Sequence, residues 1–206
     1  MKFEVDNFTQ AFPSSLISDT EKIVSYLQNK RHAFYSNHSF QILLQQETIQ
    51  IPVRTYLNVP ANKQFSNFPL TQQQMLRCIY TRHHDGFIRQ SMLQALLEHP
   101  LDYFVFPYLF QLMGEYVVEI LEIIEPHLNQ SNQKLLIQFI SENSRYFRTI
   151  ESRIVSYWNE YYRLQYPDFK DYVGYRILFK LKNLVQNNGH DSNKMHQLNT
   201  DQAEHL

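Results

Sequence analysis

The chain has 206 residues, 43% of them hydrophobic, which is enough for one ordinary domain core and far from a disordered composition. A net charge of −1 supplies no overall field to recruit nucleic acid or an anionic lipid surface. Cys78 is the only cysteine, which excludes an intramolecular disulfide, and no apolar run is long enough to span a bilayer. The opening Met1-Lys-Phe-Glu-Val-Asp6 has no charged head followed by an apolar segment, so a cytoplasmic protein with no membrane partner is expected. Residues 1–18 carry Phe3, Phe8, Phe12 and Pro13 without a clear period and predict an irregular arm. Ser18 or Asp19 reads as an N-cap, and Ile23, Val24, Tyr26 and Leu27 predict the buried stripe of a helix ending near His32. The β-formers of residues 40–44 and 48–57 flank a polar Gln-Gln-Glu turn and predict a β-hairpin over 39–57. Pro52 has no N–H for a ladder bond, which assigns the second strand to an edge. In a helical stack such an insertion serves either recognition or the covering of one end of the core.

Residues 58–69, rich in Pro and Asn, read as a loop. The stretch 70–97 then reads as two helices about a sharp Asp85-Gly86 turn. Leu76, Ile79 and Tyr80 recur at helical spacing before the turn, and Ile88, Met92, Ala95 and Leu96 after it. The pattern repeats about thirty residues later. With Asp85 laid on Glu115, the apolar Leu76, Ile79, Ile88 and Leu93 fall on Phe106, Leu109, Val118 and Ile123. A further pair follows at 132–142 and 145–164, carrying Leu136, Phe139, Ile140, then Phe147, Ile150, Ile154, Tyr157, Trp158 and Tyr161. Tyr166-Pro167 breaks the helix, and Asp168 to Gln186 predicts a last one. Residues 187–206 are polar without a periodic apolar face and predict a disordered tail, leaving 1–186 as one domain.

The motifs Asp85-Gly-Phe-Ile-Arg89 and Phe106-Pro-Tyr-Leu-Phe-Gln-Leu followed by Glu115-Tyr-Val-Val resemble the HEAT-repeat pattern over residues 70–128. The resemblance implies a mainly α fold, a short α-solenoid of HEAT-like hairpins with the small β-hairpin inserted. It also implies that Asp85 and Arg89 tie neighbouring repeats together. The second copy departs from the pattern, with Glu115 where Asp is usual and Glu119 where Arg is usual.

No sequence motif fixes a reaction. His83-His84-Asp85 invites a metal reading, but adjacent helical residues point about 100° apart and no second ligand pair accompanies them, so neither a metal nor a cofactor is expected. Residues 96–130 carry Glu98, Asp102, Glu115, Glu119, Glu122 and Glu125 without a Lys or Arg, whereas the C-terminal helices are basic. Arg145, Arg148 and Arg153 near tyrosines, with Lys180 and Trp158, offer a partner or phosphate contact; the same cations equally suit pairing with the acidic middle. Four scattered glycines build no nucleotide fingerprint, and Trp158 beside Glu160 and Asp168 is thin support for catalysis. The expected function is a non-catalytic scaffold or adaptor that binds a protein partner through a helical-repeat surface. The alternative is a nucleic-acid-binding module, in one form a base-processing enzyme.

Overall fold

In the computed structural model, which describes residues 8–28, 34–35, 38–59 and 62–203, the chain is mainly helical. Helix α1 (Ile17–Gln28) precedes the short strands β1 (Phe34–Tyr35), β2 (Ser39–Leu44), β3 (Glu47–Pro52) and β4 (Thr55–Tyr56). Helices α2 (Leu70–Tyr80), α3 (Gly86–Leu97), α4 (Phe106–Met113), α5 (Val118–Ile124), α6 (Gln133–Glu142), α7 (Ser144–Tyr157) and α8 (Val173–Ala203) follow, and a π-helical turn at Trp158–Tyr162 continues α7. The start of the expected N-terminal arm, the end of the first helix at His32, loop residues Pro60 and Ala61, and the last three residues lie outside the described residues.

Helices α2 and α3 form a hairpin, as do α4 and α5, and the second helices of the two hairpins pack on each other. Asp85 caps α3, its Oδ1 accepting from the Phe87 N–H at 2.8 Å, which satisfies one of the donors a helix start leaves free. The centre of the molecule is α4. It has no charged residue, and all eight of its side chains are buried, a pattern that only a helix enclosed on every side tolerates. Its polar atoms find partners inside the protein. The Tyr108 hydroxyl donates to the Ala11 carbonyl at 2.8 Å, and Gln111 Oε1 accepts from the Tyr146 hydroxyl. Around α4 runs one contiguous apolar core from Phe8 to Leu181.

The β-hairpin forms as β2 and β3, antiparallel, with Phe40 opposite Ile51 and Ile42 opposite Ile49. Its second strand ends at Pro52 rather than running to Leu57, and Thr55–Tyr56 pair instead with β1. Both turn residues, Gln45 and Gln46, have positive φ (51° and 71°), the conformation a tight two-residue hairpin turn requires. The inserted strands are stitched into the helices on several sides. Leu43 exchanges two hydrogen bonds with the Asn143 amide, at 3.0 and 2.8 Å, and the Gln45 N–H donates to Glu142 at 3.0 Å. On the other edge the Gln50 N–H donates to the Gln10 carbonyl at 2.7 Å. Strand β4 lies along the α2–α3 turn, where the Thr55 N–H donates to Arg82 O and the His84 N–H to Thr55 O.

Towards the C-terminus, Asp168 caps a short turn by accepting from the Lys170 N–H at 2.9 Å, and α8 begins at Val173. Its backbone stays helical to Ala203, past Gln186 where the polar composition predicts a disordered tail. The run lacks proline, and its one glycine, Gly189, costs a helix only about 1 kcal/mol. Among the described residues no helix is long and apolar enough to cross a membrane.

Candidate functional site

The two hairpin turns meet around one buried carboxylate. Glu115, in the α4–α5 turn, is 3% exposed at its side chain and receives three arginines. Arg54 from the β3–β4 link and Arg82 from the end of the first hairpin's α2 reach its Oε1 at 2.8 and 2.9 Å. Arg89 of α3 brings its Nε to 2.8 Å from Oε2, an ion pair with poor hydrogen-bond alignment. The arginines' other donors go to backbone carbonyls: Arg82 to Val53 and Thr81, Arg54 to Val53, Arg89 to His83 and His84. Arg82 and Arg89 are 0% and 2% exposed, and burial pulls the Arg82 guanidinium below its ordinary pKa, with Glu115 opposing. Arg82 Nε remains buried without a hydrogen-bond partner among the described residues. Arg54 is the cation of the three that reaches solvent, with 26% of its side chain exposed.

His83 lies under this cluster, 1% exposed. Its Nδ1 accepts from the Asp85 N–H at 3.0 Å, so the proton sits on Nε2, which donates to the Leu57 carbonyl at 2.8 Å. Burial lowers its pKa from the ordinary value and keeps the ring neutral. With both ring nitrogens engaged by backbone, His83 has no lone pair left for a metal. Among the described residues no three His, Cys, Asp or Glu side chains converge as ligands.

Next to Glu115 in the chain, the surface becomes aromatic. Tyr116 is 51% exposed and Tyr161 60%, and with Tyr157 they form a triangle of rings whose centroids lie 5.9 to 6.2 Å apart. The π-helical turn makes this arrangement possible, because its extra residue per turn shifts the aromatic positions after Tyr157 around the helix. Tyr161 thereby faces out beside Tyr157, while the Tyr162 hydroxyl turns inward, donating to the Tyr116 carbonyl and accepting from the Val118 N–H. At Gly114 a Cβ would stand 2.7 Å from Ile150 Cδ1 and 3.3 Å from Arg153 Cδ, so glycine lets α7 close on the turn. The first turn, held against Glu115 by Arg82 and Arg89, exposes Phe87, and β4 beside it exposes Tyr56, stacked on His84 at 4.9 Å. Along the chain, Glu119 follows Tyr116 by three residues and Glu160 directly precedes Tyr161.

The structure disperses the cations singled out from the sequence. Arg145 and Arg148 sit on the exposed side of α7, and Arg145 lines a polar cleft of about 400 Å³ with Gln41, Glu142 and Thr149. Arg153 lies instead along Gly114 and close to the buried Tyr146. Lys180 lies on α8 at 3.2 Å from Glu125, which also binds Arg176 at 2.9 Å, and Lys182 pairs with Glu151 at 2.7 Å. Trp158 is half-buried, its Nε1 donating to the Tyr166 carbonyl at 2.9 Å and its ring against Phe169 at 4.8 Å. At the first turn Asp85 caps α3 and Arg89 pairs with Glu115. Sequence reasoning missed Arg54, Arg82 and the exposed Tyr116. The signal available for them was Glu115 as the only charged residue between Asp102 and Glu119, in a mostly apolar stretch where a buried carboxylate demands cations. No family model, curated protein or solved structure matches the chain.

Proposed function

We propose that this protein is a non-catalytic cytoplasmic adaptor whose two hairpins, α2–α3 and α4–α5, act as consecutive units of a short HEAT-like stack, and that it binds a protein partner through the Tyr116–Tyr157–Tyr161 face. The observation that carries this reading is the cluster of half-exposed tyrosines held rigidly at one end of the hairpins. Tyr has only two side-chain torsions and a polar tip, so it supplies contact area at low entropic cost and remains soluble when free. The turn beneath it is fixed by Tyr162 and by the Glu115 cluster, so the face is preorganised. Arg89 on Glu115 is what supports the stacking role proposed for Arg89.

The test is retention from a lysate on the purified full chain, with and without nuclease, beside a Tyr116→Ala/Tyr161→Ala variant. The expected result is a protein retained despite nuclease by the wild type and lost from the double variant. Nuclease-sensitive recovery, or retention indifferent to both substitutions, would contradict the reading.

A further inference from the structure

Three arginines converge on Glu115, and they carry two more positive charges than the carboxylate offsets. A surplus buried charge is costly unless polar groups or an opposite charge compensate it. Backbone carbonyls take up part of the donor capacity, yet Arg82 Nε is buried with none. Burial and local carbonyls leave the surplus one outlet to solvent, the Arg54 side chain. That outlet bonds the residue next to Tyr116, and Arg153 adds a further cation beside the Gly114-Glu115-Tyr116 turn. The acids nearby are Glu115 itself, already occupied, Asp85, which caps α3, and, next to the tyrosines along the chain, Glu119 and Glu160.

We infer that the partner segment docking on this face is acidic: it sets an Asp, Glu or C-terminal carboxylate on Arg54 and lays an apolar or aromatic side chain on Tyr116, Tyr157 and Tyr161. This inference rests on the proposed protein-binding face and adds the chemistry of what it recognises. Arg suits a carboxylate because its planar fork can offer two parallel donors, and Glu115 occupies only one nitrogen of Arg54. Electrostatic complementarity with the buried arginines behind it selects the sign of the partner and its register, while the rings supply the contact area.

The experiment pans a displayed library of random dodecapeptides against the full chain, then measures the enriched peptides by fluorescence anisotropy against wild type, Arg54→Gln, Arg54→Glu and Tyr116→Ala/Tyr161→Ala, with a single-stranded oligothymidylate as a further probe. Arg54 is partly exposed, and Arg82 and Arg89 still hold Glu115, so the fold is expected to survive, which circular dichroism verifies on each variant. The expected outcome is enrichment of Asp and Glu at a fixed spacing from an apolar residue, with affinity reduced roughly tenfold or more by Arg54→Gln and further by Arg54→Glu. Peptides lost with the tyrosine variant but showing no acidic preference, or equal affinity for wild type and Arg54→Gln, would overturn the inference while the face itself stands. Peptides indifferent to the tyrosines, or preferential binding of the oligothymidylate, would overturn both.

Discussion

Glu115 departs from the repeat pattern at the position where the structure depends on it most. The departure arises because the residue answers to three elements at once, the β3–β4 link, the end of α2 and the start of α3, and a repeat register compares positions only along the chain. Arg89 stands out in the sequence by its place after Asp85. Its partner does not, because the charge that complements it lies 26 residues away across a turn, and Arg54 comes from a segment with β periodicity. Removing the carboxylate leaves the cluster with three uncompensated cations, two of them buried. Glu115→Ala is therefore expected to destabilise the protein by about 3–5 kcal/mol in urea unfolding, with Glu115→Gln costing less. His83 gives a second residue-scale prediction. Its pKa is held below the ordinary 6.5 in the folded chain, so below about pH 6.5 the unfolded chain takes up a proton that the folded chain refuses. Its contribution to stability is full above that pH and is lost as pH falls towards the folded value. Between about pH 7 and about pH 5 the melting temperature should fall less steeply in His83→Gln than in wild type, and parallel slopes would contradict the assignment.

At the scale of elements, helices with a clear apolar stripe were legible, because burial on one face imposes the 3.6-residue period whatever the neighbours are. The π-helical turn was not, since Tyr157-Trp158-Asn159-Glu160-Tyr161-Tyr162 is compatible with a regular helix and the extra residue is selected by where Tyr162 finds its hydrogen bonds. The long C-terminal helix was missed because low hydrophobicity was read as the absence of structure. The β-hairpin was visible from β-formers around a polar turn, but its turn residues are poor ones for their conformation. Gln45 and Gln46 both occupy the left-handed region, which costs a residue with a Cβ roughly 1–2 kcal/mol. Replacing them with Asn-Gly should raise stability by about 1 kcal/mol, or a melting shift of roughly 2–4 °C for a chain of this size. The bond from the Gln45 backbone N–H to the Glu142 carboxylate needs no Gln side chain and is retained, so a neutral or destabilising result would mean that the Gln side chains contribute more than their strain.

For the whole molecule, the tyrosine face has no signature along the chain. Tyr116 lies more than forty residues from Tyr161, and what unites them is the packing of α7 on the second hairpin, permitted by Gly114 and pinned by Tyr162. The basic C-terminal helices seen in the sequence divide in space: Arg176 and Lys180 neutralise Glu125, Lys182 neutralises Glu151, and Arg153 packs against Gly114. A chain of near-zero net charge thus carries one hairpin turn where the carboxylate that gathers the arginines is followed directly by Tyr116 of the ring cluster. The most direct test of that end as the binding surface is site-specific photocrosslinking in cell extract, with a photoreactive phenylalanine analogue at Tyr161 and, as control, at the exposed Lys134 of α6. The expected result is one crosslinked protein band from position 161, resistant to nuclease and absent from position 134; equal or no protein crosslinking at the two positions would contradict a partner-binding role for this face.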